Sequence, residues 1–226
     1  MFAGHKLRAG GAYYGPTVTT FTDSGIDTAN SNSYTFSALS IGTADADRMV
    51  VVTGQYAQGS QTGITVTIGG VSATVILDAA ANAQIPFVAY LKVATGTTAD
   101  VVVTRVYTGN NPQFCAVQVY SVITTKSAPD EIGFVIPVNA AITVTDLPVK
   151  RGGVVIYSFY NNADPAAPTI TWTGIDSITS DVDTAAETTR RVASGHIQTT
   201  ETSAIRDLSA ADGLANQGFC VVTFIA

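Results

Sequence analysis

The sequence predicts an all-β protein, an antiparallel and jelly-roll-like β-sandwich built from an internal duplication, and three observations lead there. The first is that the chain is written twice. Residues 49–56, MVVVTGQY, return as residues 153–160, GVVIYSFY, and Phe114, Cys115, Ala116 and Val117 return as Phe219, Cys220, Val221 and Val222. The displacements nearly agree, 104 residues from Val50 to Val154 and 105 from Cys115 to Cys220, and residues 64–67 and 89–93 find counterparts at 170–173 and 193–197 between them. Matches that recur in order at one spacing describe a repeated structural unit. The second observation is that nearly every regular stretch is β-branched or alternates apolar with polar residues, the period of a strand. The third is that helical periodicity is almost absent. Residues 78–84 and 209–215 are the best candidates, Ala-rich stretches too short for helices that stand without tertiary support.

Taken in order, the first unit offers strands at 34–36, 50–56, 64–68, 73–77, 87–93, 101–107 and 114–123. The second offers 142–147, 154–160, 169–173, 177–183, 190–198, 203–208 and 218–225. Turn chemistry sets the boundaries. Gly69-Gly70 sits between two strand patterns at the spacing of a two-residue hairpin, Gly109-Asn110-Asn111-Pro112 interrupts another pair, and residues 161–168 form a Pro-rich loop. The last strand places Cys220, Val222 and Phe224 on one face and Phe219, Val221, Thr223 and Ile225 on the other, so it reads as a central strand with two largely apolar faces. The chain divides into an N-terminal docking arm at 1–16, a first sandwich unit at 17–125, a linker at 126–137 and a second unit at 138–226.

Composition narrows the function classes. Of 226 residues 46% are hydrophobic and only 12% charged, which suits a compact folded protein with a Thr/Ser/Asn surface or one partly covered by partners. No run of 18 apolar residues exists, so no membrane span is expected, and the first residues lack the apolar core of a secretory signal. A net charge of −6 argues against nucleic-acid binding, which needs a cationic footprint. The arm differs from the rest. It carries His5, Lys6 and Arg8 and no acid, with Phe2 near its start and Tyr13 and Tyr14 after a glycine-rich stretch, a set suited to anchoring on an acidic, grooved neighbour.

Residues for chemistry are scarce. His5 and His196 are the only histidines and Cys115 and Cys220 the only cysteines; none stands at metal-ligand spacing, so no metal or other cofactor is expected. The cysteines read as small buried hydrophobes facing their own unit's core, Cys115 with Val117 and Val119, Cys220 with Val222 and Phe224. A Ser-His-Asp arrangement on His196 lacks a G-x-S-x-G elbow to support it. Asp176, Asp181 and Asp183 near Trp172 have the composition of a glycosidase pair or a calcium loop, but a solvated acidic surface accounts for them better. No catalytic residue is assigned. Trp172, in place of Val66 of the first unit, and Tyr107, Tyr120, Tyr157 and Tyr160 are the candidates for stacking on a glycan, although the matched positions of Tyr56 and Tyr160 favour packing.

Residues 34–52, YTFSALSIGTADADRMVVV, resemble a group of small β-rich structural proteins of tailed bacteriophages, as do residues 64–74, ITVTIGGVSAT, and 95–103, TGTTADVVV. The resemblance covers mainly residues 34–123 and is looser in the second half. It implies a non-enzymatic virion component of the decoration, head-fibre or tail-accessory kind, and carries over no residue roles. The expected function is therefore a capsid decoration (cement) or head-fibre protein in the virion. Its partners are the major capsid protein or other virion proteins and copies of itself, with a trimer the first choice of homo-oligomer. The alternative is a tail-associated or surface-displayed carbohydrate-binding adhesion module that uses Trp172.

Overall fold

The computed structural model describes residues 18–57, 63–77, 84–105, 114–135, 142–149, 152–161, 171–173, 179–187, 190–198, 204–211 and 217–224. Every regular element among them is a strand, and every pairing is antiparallel. In chain order these are β1 (Val18–Asp27), β2 (Ser33–Ser40), β3 (Arg48–Ala57), β4 (Ile64–Ile68), β5 (Val71–Ser72), β6 (Thr74–Leu77), β7 (Gln84–Lys92), β8 (Thr98–Arg105) and β9 (Phe114–Ile123). There follow β10 (Glu131–Val135), β11 (Ile142–Val149), β12 (Val154–Asn161), β13 (Thr171–Thr173), β14 (Thr179–Glu187), β15 (Arg190–Gln198), β16 (Ala204–Ala211) and β17 (Gln217–Phe224).

The strands form four sheets. An inner sheet β1-β9-β3-β7-β6 faces an outer sheet β2-β8-β4-β5; β1 to β4 alternate between the two, β4 and β5 share the outer sheet and β6 and β7 the inner one, and β8 and β9 return to each in turn, the order of a jelly roll with one added edge strand. The later strands repeat that order: β10-β17-β12-β15-β14 reads as β1-β9-β3-β7-β6 does, and β11-β16-β13 reads as β2-β8-β4 does. The first sandwich closes over Tyr34, Phe36 and Ile41 from β2 and its following turn, Val66 and Ile68 from β4, and Val101 and Val103 from β8. These meet Val50, Val52, Tyr56, Phe87, Ala89, Cys115, Val117 and Val119 of the inner sheet. The opposite face of that inner sheet packs on the second inner sheet, so β3 and β9 are buried on both sides. This double burial explains why their sequences run nearly continuously apolar.

The inner sheets stack with β3 on β12, β7 on β17, and β1 against β14 and β15. β12, β15 and β17 hold the places in their sheet order that β3, β7 and β9 hold in the first inner sheet.

Two features hold the first sandwich's turns. Gly69 and Gly70 have φ of 60° and 79°, the left-handed values that a two-residue hairpin between paired Ile68 and Val71 requires. At the same end lies the side chain of Arg48, fully buried. Its Nε donates to Val93 O at 2.7 Å, its Nη1 to Gly42 O at 2.7 Å, and its Nη2 to Thr95 O and Gly96 O at 2.7 and 2.9 Å. One guanidinium therefore stitches the β2–β3 turn to the β7–β8 turn. Burial pulls its pKa down and Asp45 opposes the shift.

The eight sheet edges among the described residues are short or bulged. β5, β6, β10 and β13 have two to five residues. β1, β2, β11 and β14 carry register shifts, at Phe21/Asp23, Phe36/Leu39, Val144/Leu147 and Ser180/Val182 among others, and β11 also contains Pro148. Short or bulged edges disfavour pairing with another chain.

Several expectations change here. β1 was not anticipated, because its bulge reverses the phase of an already polar stretch, VTTFTDSGID. β10 falls inside the segment 126–137 expected to be a linker and pairs with β17 as a strand of the second inner sheet. Residues 209–211, part of a helix candidate, belong to β16, whereas 78–83 lie outside the described residues. The residue-by-residue repeat also slips. Val50 and Cys115 face their own sandwich core, but their sequence matches Val154 and Cys220 face the seam between sandwiches, so Cys220 does not serve its own unit's core. With both faces apolar, hydrophobicity does not fix the phase, and a one-residue slip exchanges the faces.

Candidate functional site

The seam between the inner sheets is the most elaborate polar and apolar arrangement among the described residues, and it runs in three zones. At one end Met49, Val51, Val88 and Val122 meet Val154, Ile156, Cys220, Val222 and Phe224. At the other, Phe114 and Ala116 meet Tyr160 and Val192, with the Phe114 and Tyr160 rings stacked at 5.3 Å. Between them is a buried polar belt. Gln118 Oε1 accepts from Thr53 Oγ1 at 3.2 Å and from Ser158 Oγ at 3.0 Å, and Gln55 Nε2 donates to Ser158 Oγ. Thr53, Gln55 and Gln118 come from the first sandwich and Ser158 from the second, so the belt sets how the sheets meet. Replacing Gln118 by leucine leaves two buried hydroxyls without their acceptor; a loss of about 1–3 kcal/mol in unfolding free energy is expected by chemical denaturation. A neutral result would remove the belt from the seam's energetics.

At the margin of the seam the second sandwich presents a histidine–carboxylate pair. His196 Nδ1 lies 2.6 Å from Asp181 Oδ2, with side chains 21% and 8% exposed, so the pair is half-sheltered rather than solvated. Asp181 sits at the register shift between Ser180 and Val182 of β14, where the extra residue is turned toward the neighbouring strand. Tyr120 of β9 reaches the same place. Its OH donates to Ser194 Oγ at 2.8 Å, its ring meets His196 edge-on at 6.0 Å, and Phe21 of β1 packs on it edge-on at 5.6 Å. Burial, with the Asp181 charge behind it, pushes the Tyr120 phenol well above its ordinary value.

The arrangement has the polarity of a His–Asp dyad, but Ser194 is not placed as its nucleophile. Ser194, the hydroxyl residue two positions from His196 on β15, is fully buried and already accepts from Tyr120. A nucleophile needs its oxygen exposed to substrate and hydrogen-bonded to the base. Among the described residues no group of three or more His, Cys, Asp or Glu side chains could hold a metal ion.

The sequence candidates fare unevenly. Phe2, His5, Lys6, Arg8, Tyr13 and Tyr14 lie outside the described residues, as do Tyr107 and Asp176. Trp172 is placed on β13 opposite Ala210 of β16, with its side-chain surroundings outside the description. Tyr120, Tyr157 and Tyr160 are fully buried and stack on no glycan. Asp181, expected on a solvated surface, is tied to His196 instead. Arg48, Gln118 and Ser194 are not singled out by the sequence as site residues. An arginine opening an apolar run, Arg48-Met49-Val50-Val51-Val52, was the available signal for the first, since such a cation is buried only with several acceptors around it.

Both thiols are buried, and burial raises both pKa values, that of Cys220 to about 12. Tyr34, Tyr120 and Tyr157 are raised for the same leading reason. Groups raised on folding stabilise the native state fully below their unfolded values and lose that contribution as pH climbs through the folded ones. Stability is therefore expected to fall between pH about 9 and about 12, and neither thiol of the native chain should react with a disulfide reagent near pH 8 until denaturant is added. Rapid labelling of the native chain would place a cysteine outside the core.

No protein-family model, curated protein or solved structure matches the chain. Fold and site together define an all-β protein of two jelly-roll sandwiches joined back to back through their inner sheets.

Proposed function

We propose that the protein is a structural component of a tailed-phage virion, a capsid decoration (cement) or head-fibre protein that binds the particle and reinforces or decorates it without catalysing a reaction. The observation that carries this reading is the four-layer block, with two sandwiches fused through a buried seam and each sheet edge among the described residues short or bulged. Such a block resists opening and does not polymerise through its edges, which are the properties of a part added to a lattice from outside. Jelly rolls serve in viral capsids and also in lectins, so the architecture supports the reading by analogy of form alone. Attachment falls to the arm of residues 1–16, whose Lys6 and Arg8 contrast with a chain of net charge −6.

The test is cosedimentation with assembled particles that lack the protein, comparing the full chain with one starting at residue 17. Saturable binding by the full chain, lost with the arm, is the expected result, and its stoichiometry separates capsid from tail. Sedimentation velocity of the free protein checks for the trimer. A full-length chain that fails to bind overturns docking on the virion and turns attention to a glycan screen with Trp172→Ala.

A further inference from the structure

We draw no further inference here: the strongest candidate, the Asp181–His196 pair beneath Tyr120 at the margin of the seam, belongs to the site already described, and nothing among the described residues shows a ligand or partner reaching it.

Discussion

Replacing Arg48 by methionine is expected to lower the unfolding free energy by about 3–5 kcal/mol. Methionine fills much of the same volume, so the loss reports hydrogen bonding more than packing. Four carbonyl oxygens, those of Gly42, Val93, Thr95 and Gly96, converge on the guanidinium, and the variant leaves them sheltered without a donor. Hydrogen bonds to a charged donor contribute about 1.5–3 kcal/mol each, and their loss is only partly recovered by water entering the turns. No carboxylate touches the Arg48 side chain among the described contacts, so the guanidinium's own desolvation offsets part of the gain, which keeps the expected figure below the sum over four bonds. Arg48→Lys separates charge from geometry. Lysine keeps the cation but has no planar fork to span two turns, and an intermediate loss is expected. Denaturant unfolding of the three chains decides the matter; a methionine variant within about 1 kcal/mol of the parent would show that the turns hold without the clamp.

Much of this fold was legible because strand formation is a local matter of pattern. The segments at 50–56, 64–68, 114–123 and 154–160 alternate or run apolar between turn residues, and each became a strand at nearly its expected bounds. What failed was phase. The bulge in β1 breaks the alternation that would reveal it, and the doubly buried β3 and β9 match β12 and β17 equally well with either face turned in. The site was less legible still. His196 was noticed as a rare residue, but its partner depends on a bulge in β14 and its neighbours Tyr120 and Ser194 on the packing of one sandwich against the other. Those contacts join residues 74 positions apart, and no local pattern encodes them.

The seam also shows why a chain with few charges contains so many buried Gln, Ser and Thr side chains. A wholly apolar interface between two flat sheets would slide at little cost, whereas Gln118 accepting from Thr53 on its own sheet and from Ser158 on the facing one admits a single register. Buried polar groups that fix an alignment at some cost in stability are well attested in coiled coils, and the same logic applies to stacked sheets. The alignment of the two inner sheets then rests on specific pairing as well as on burial.

Gly54→Ala is expected to cost about 2–3 kcal/mol, although alanine has no lower strand propensity than glycine and the change adds a single methyl group. Gly54 lies at the middle of β3 with its Cα turned toward the first sandwich core, and a Cβ there would stand 2.2 Å from Phe87 Cζ, 2.6 Å from Phe87 Cε1 and 2.8 Å from the backbone oxygen of Ala116. The ring can be displaced, but it is fully buried among Tyr56, Val52 and Ala89 and has little room to turn. The Ala116 oxygen belongs to the ladder with β9 and moves only if the strand moves. The clash therefore has one part that a second substitution relieves and one that it does not. In a double-mutant cycle, Phe87→Leu should recover a portion of the Gly54→Ala loss, giving a coupling of about 1 kcal/mol and leaving the remainder with the backbone oxygen. Gly25→Ala gives the comparison, since all three close contacts of its Cβ, the nearest at 2.4 Å, are to the Phe36 ring alone. It should cost less and be relieved more completely by Phe36→Leu. Equal losses at the two glycines, with no coupling to either phenylalanine, would mean that close backbone approach between β3 and β9 does not govern this part of the core.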